Sequence, residues 1–196
     1  MLFWHAPFML GFSWEWSSTD GYSIAGGSAP WALEASALFL FVYLLLMFAP
    51  QAEPGGQIVG WWRRFAAFWL DFIFAMAILA PIVGLIPVYM EWKRTGVFAW
   101  MFERDTPAPG DTLTSALSGF LMTLIFLFYF VIPLIRARPS PGACAMGYQI
   151  VGDGGLSVGL TTALKRTVAG FTFLGDRKRS VAKIDGWFRT HPVKFK

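Results

Sequence analysis

The chain has one cysteine, Cys144, and two histidines, His5 and His191, in 196 residues. A single thiol excludes an internal disulfide, and so few histidines leave no basis for a Cys/His zinc site. Charge is also scarce: 14% of residues are charged, against 56% apolar and 18% aromatic. With a mean hydropathy of +0.52, the chain is too apolar for an ordinary soluble domain and is read as an integral membrane protein. Residues 1 to 30 hold no Lys or Arg, so the start reads poorly as a signal peptide. No nucleophile paired with a base, no metal cluster and no cofactor loop is found, and a noncatalytic protein is expected.

What the chain has is long apolar runs, and one of them organises the rest. From Trp61 to Met90 the sequence stays apolar for about 25 residues after Arg64, enough as a helix to cross roughly 30 Å of hydrocarbon. Asp71 alone interrupts it. It lies seven residues beyond Arg64, roughly 10 Å along the axis, where a carboxylate costs several kcal/mol unless it is paired, hydrated or protonated.

The expected fold class is an all-α integral membrane protein with three transmembrane helices. Residues 1 to 30 read as an aromatic-rich, irregular segment on the outer interface. The first span is 31 to 49, bounded by Pro30 and Pro50, with Glu34 as a headgroup-level charge. Gln51 to Gly60 reads as a turn. The second span covers about 62 to 90 and is kinked in its far half by Pro81, Gly84 and Pro87. Residues 91 to 112 are a polar excursion of mixed charge. The third span runs from Leu113 to about 136. On it Ser115, Gly119 and Thr123 recur every four residues, a small-residue face for helix packing.

The tail from 139 to 196 opens on a stop at Pro139-Ser140-Pro141-Gly142. Tyr148 to Val151 reads as a short strand ending in a hairpin-like turn at Gly152-Asp153-Gly154-Gly155. Those glycines resemble a phosphate loop only superficially, because no Lys-Ser/Thr follows. Residues 156 to 174, split by Lys165 and Arg166, read as an amphipathic surface helix.

Charge sets the expected topology. From Arg136 onward there are eleven Lys/Arg and three acids, whereas the first 135 residues carry five and nine. Gln51 to Arg64 together with Arg136 to Lys196 hold thirteen of the sixteen basic residues. Three spans and this bias place the N-terminus outside and the C-terminus in the cytoplasm. Arg136, Arg138, Lys165, Arg166, Arg177, Lys178 and Arg179 are the residues expected to anchor anionic headgroups or an acidic partner.

The run Arg63-Arg64-Phe65-Ala66-Ala67-Phe68-Trp69-Leu70-Asp71 resembles the opening of the RDD family of bacterial membrane proteins. Ser140 to Val151 is similar to that family's Pro-Gly segment before a Val-rich strand, and Arg179 to Thr190 to its closing stretch. The resemblance covers about residues 58 to 191 and implies that Arg64, Asp71 and Asp185 are the arginine and two aspartates of the family name. It also implies a bacterial inner membrane and a suspected transport role. This chain departs from the family pattern at Ala143 and Cys144, where basic residues are usual, and at Ile184, where histidine is common.

Arg64 points back toward the headgroups, so it is expected to pair with Asp185. Asp71 is expected to meet a polar group of the third helix, or Lys165 or Arg166, or to stay protonated. Two functions follow. One is an accessory subunit of a larger membrane complex, packed through its helices and held by the basic tail. The other is a transporter, or part of one, exchanging cations or protons at Asp71. No cofactor is predicted beyond bound lipids; His5, in the aromatic stretch at the outer interface, could ligate a pigment, although a lone histidine there is usually just an interfacial polar group, and a neighbouring pigment or quinone is left open. The expected partners are anionic lipids and other membrane subunits or further copies of the chain, with no nucleic acid.

Overall fold

A computed structural model describes residues 12–17, 23–48, 54–104, 108–172 and 179–195. Among them, three helical segments are long and apolar enough to cross a membrane: Pro30–Phe48, Trp61–Thr95 and Asp111–Ile135. The chain divides into two compact units, one of Met1–Leu40 with Met76–Ile125, the other of Phe41–Ala75 with Phe126–Lys196.

In the first unit, strands β1 (Phe12–Ser17) and β2 (Ser23–Ser28) form an antiparallel pair, and β4 (Met101–Arg104) adds to the other edge of β2. The first long helix, α1 (Pro30–Phe48), starts in this unit, where the buried Ser36 hydroxyl donates to the Ile78 carbonyl at 2.6 Å. That bond satisfies the Ser36 hydroxyl inside an apolar setting. The second helix is broken as Pro81, Gly84 and Pro87 predict: α2 (Trp61–Val83) stops, Gly84 turns, and α3 (Leu85–Thr95) follows. A Cβ on Gly84 would stand 2.9 Å from the Gly27 carbonyl oxygen, so the break also admits the β2 backbone. Gly96, at φ 73°, closes α3 by donating to the Trp92 carbonyl. Arg104 lies between Glu91 and Asp111 at the mouth of α4 (Asp111–Ile135) and pairs with both.

In the second unit, a five-residue helix, α5 (Pro141–Ala145), follows the third long helix and leads into β5 (Tyr148–Gly152). An amphipathic helix, α6 (Leu160–Thr172), and a shorter one, α7 (Arg179–Phe188), precede β6 (Thr190–Phe195). β6 lies between β5 and β3 (Pro54–Ile58), antiparallel to both. Among the described residues of this unit, one buried core cluster holds Val59, Ala67, Ala143 and Tyr148, and another Val131, Leu134 and Ala163.

Several expectations change. The N-terminal stretch is not wholly irregular, because β1 and β2 occupy part of it; Phe12, Trp14 and Trp16 alternate at the strand period. The expected turn between the first two spans contains β3, which finds its partner in β6 at the far end of the chain. The strand near Tyr148 is present, but it also pairs with β6, while Asp153–Gly155 forms a 3-10 turn. Neither partner was visible locally, because both pairings join segments far apart in sequence.

Candidate functional site

The site lies in the second unit and is built around two carboxylates. Asp71, on α2, is only 4% exposed. Its Oδ1 accepts from the Tyr129 hydroxyl at 3.1 Å and the Gly142 amide at 2.7 Å, and its Oδ2 accepts from the Ser140 hydroxyl at 2.5 Å. The local sequence explains the arrangement. Ser140 and Pro141 are the N-cap and first residue of α5, and the Ser140 hydroxyl also accepts from the Ala143 amide. The Gly142 amide, left free in that first turn, therefore faces α2 and meets Asp71.

Gly142 makes the approach feasible. A Cβ there would fall 2.2 Å from the Ala67 carbonyl oxygen and 2.8 Å from the Asp71 carboxyl carbon. Ala67, fully buried, keeps the α2 side of the contact equally small. Tyr129 is held in turn by Tyr43: their rings stack with centroids 4.8 Å apart, and the Tyr43 hydroxyl donates to the Tyr129 carbonyl at 3.0 Å.

Asp185, on α7, is the second carboxylate. Arg64 grips it through two parallel bonds, Nη1 to Oδ2 at 2.7 Å and Nη2 to Oδ1 at 3.0 Å. Arg166, on α6, adds a third from Nη2 to Oδ1 at 2.9 Å, and its Nε donates to the fully buried Thr190 hydroxyl at 2.8 Å. The planar fork of arginine suits such two-point contact. Burial pushes the Arg166 guanidinium below its ordinary value, and Asp185 opposes that shift. Burial raises the Tyr148 phenol well above its usual range.

The predicted residues are thus distributed as follows. Arg64, Arg166 and Asp185 come together. Asp71 meets the third helix through Tyr129 and does not meet Lys165 or Arg166: Lys165 is exposed, and Arg166 is committed to Asp185 and Thr190. Arg136 donates to the Met47 carbonyl at 3.4 Å and lies 5.0 Å over the Phe48 ring, a cation at the C-terminus of α1. Arg138 lines a cavity described below.

Of the expected small-residue face, Gly119 and Thr123 are exposed, and no atom of the described residues outside the helix's own backbone lies within 4 Å of a Cβ placed on Gly119, so this stripe of α4 stays open; Thr114 and Ser118 are the small residues of α4 that the chain itself buries. His5, Arg177 and Lys178 lie outside the described residues, as does the side chain of Arg179.

Sequence reasoning missed Tyr129, Ser140, Gly142 and Thr190 as partners. Ser140-Pro141 carried a usable signal, an N-cap followed by proline at N1. Tyr129 offered another, as a hydroxyl set among Phe126, Phe128 and Phe130.

A cavity of about 190 Å³ adjoins both carboxylate clusters, lined by Arg64, Asp71, Arg138, Ser140 and Arg166 on its polar side. Phe65, Phe68, Phe130 and Phe171 form much of its apolar side. Phe171 packs against both Phe68 and Phe130, at centroid distances of 5.7 and 5.4 Å.

No curated protein and no solved structure matches the chain. The family comparison does match: the RDD family model covers residues 58–185, a stretch that begins just before Arg64 and ends on Asp185. With three apolar helices of spanning length and that match over more than half its residues, the chain belongs to the RDD family of membrane proteins.

Proposed function

We infer that the protein is a noncatalytic accessory subunit of a larger assembly in the bacterial cytoplasmic membrane. It packs there through its spanning helices, with the basic C-terminal part on the cytoplasmic face. One observation carries this reading: both carboxylates of the site are engaged within the chain. Asp71 receives three donors and Asp185 three, so each has its acceptor capacity largely taken up by the fold. Ion and proton sites in membranes assemble several polar groups left available for the cargo. Support also comes from the open face of α4, where Leu113, Leu117 and Phe120 stand exposed beside Gly119.

The test is gentle purification from the native membrane through a C-terminal tag, followed by mass spectrometry and an absorption spectrum. A stoichiometric set of other membrane subunits is expected. Recovery of the chain alone, or only as copies of itself, would overturn the reading.

A second reading keeps one observation in its favour, since Asp71 lines the cavity. On that reading the chain is a transporter component exchanging cations or protons. Flux in reconstituted vesicles that disappears in Asp71→Asn would support it.

A further inference from the structure

We propose that the cavity of the second unit is a binding site for the phosphodiester headgroup of an anionic phospholipid, with Arg138 and Thr167 as its recognition residues. Two buried polar atoms are left over there. Arg138 Nη1 and Thr167 Oγ1 are both shielded from solvent, and neither has a hydrogen-bond partner among the described residues. Both residues line the cavity, and Thr167 is only 7% exposed. Such groups are uncommon in folded proteins, and two of them in the lining of one cavity are available to an oxygen of whatever occupies it.

Their chemistry is specific. Arg138 has donors only, and a hydroxyl can donate as well as accept, so together they suit an oxygen anion. Charge agrees: Arg64, Arg138 and Arg166 line the cavity, while the carboxylates facing them are Asp71 in the wall and Asp185 behind Arg64 and Arg166. Among the described residues three cations stand against two anions there, and the cation for which they offer no carboxylate partner is Arg138.

The apolar part of the lining distinguishes a lipid from a free anion. Four phenylalanines and Trp61 line the same space, to which the start of α2, the end of α4 and α6 all contribute. At the ends of spanning helices the headgroup layer meets hydrocarbon, and aromatic rings are at home there. A volume of about 190 Å³ holds a headgroup, not a whole lipid, so the acyl chains would continue along the outside of the helices.

The proposal does not depend on whether the protein is an accessory subunit or a transporter. It is tested on the full chain, purified in detergent, stripped of lipid and titrated with phosphatidylglycerol or phosphatidylcholine under native mass spectrometry. Phosphatidylglycerol is expected to bind about tenfold more tightly than phosphatidylcholine, and Arg138→Gln to weaken it by about tenfold, as loss of one charge-assisted bond predicts. Lys165→Gln, which removes an equal charge from the exposed side of α6, should change binding by less than about twofold.

Thr167→Val separates recognition from folding. Removing an unpaired buried hydroxyl should leave the lipid-free protein as stable or more so while weakening phosphatidylglycerol about threefold. Equal binding of the two lipids, or equal effects of Arg138→Gln and Lys165→Gln, would overturn the proposal. Inorganic phosphate that stabilises the lipid-free protein in an Arg138-dependent way would overturn the lipid as occupant and assign a free anion. Should Arg138→Gln fail to fold, unchanged phosphatidylglycerol binding by Thr167→Val is decisive against the site.

Discussion

The Gly142 amide donates to the Asp71 carboxylate at 2.7 Å, and the same glycine leaves no room for a side chain between α5 and α2. The two facts are one constraint, because the amide reaches the acid only where the backbones can nearly touch. Gly142→Ala would place a methyl 2.2 Å from the Ala67 carbonyl oxygen, a rigid backbone atom. A loss of at least about 1–3 kcal/mol is expected. Gly119→Ala, with open space around it, should be neutral or stabilise by up to about 1 kcal/mol through helix propensity. Thermal unfolding of the two variants in detergent makes the comparison, and equal midpoints would refute it.

Asp185 should prove more sensitive than either of its arginines. Asp185→Asn leaves Arg64 and Arg166 as neighbouring, largely buried cations and should cost about 3–5 kcal/mol. Arg64→Gln leaves Asp185 its bond from Arg166 and should cost only about 1.5–3 kcal/mol. The exchange Arg64→Asp with Asp185→Arg is expected to restore part of the loss, not all, since Arg166 was placed to meet an acid on α7. Denaturant titrations of the three proteins give the ranking; an Arg64→Gln loss equal to that of Asp185→Asn would mean that Arg166 contributes nothing.

The donors to Asp71 should act as a unit. Tyr129→Phe and Ser140→Ala each remove one bond and should cost about 1 kcal/mol, whereas Asp71→Ala leaves three buried donors without an acceptor and should cost more than both together. Combining Tyr129→Phe with Asp71→Ala should add little beyond Asp71→Ala alone. Full additivity in that double-mutant cycle would show that the bonds are independent of one another.

Much of this arrangement was legible in the sequence, and the reason differs from element to element. The spans were readable because about 25 apolar residues in a row have few alternatives to crossing a bilayer. The break at Gly84 followed from two prolines flanking a glycine. The Arg64–Asp185 pair was readable from two things together: the lean of an arginine side chain on a helix turned Arg64 away from Asp71, and the family resemblance singled out Asp185. The strands β3 and β6 were not, because they are short, polar and paired across most of the chain, so no local period marks them. The small residues that α4 buries within the chain, Thr114 and Ser118, were not legible either: Ser115 and Gly119 are as small, and only tertiary packing chooses which stripe the chain covers itself.

Membrane orientation is open to direct measurement. With thirteen of sixteen basic residues in two segments, an alkaline phosphatase fused after Lys196 is expected to be inactive in bacterial cells, and green fluorescent protein at the same point to be fluorescent. An active phosphatase fusion would invert the topology and place the lipid-binding cavity in the outer leaflet.

Arg64 and Asp185 are 121 residues apart in the chain. During synthesis the arginine enters the membrane long before its acid exists, and all three spanning helices are complete while the bridge is still unmade. Docking of α7 therefore comes after the apolar helices are made, and a chain that stops short of Asp185 lacks both the carboxylate that answers Arg64 and Arg166 and the strand that joins β3 to β5.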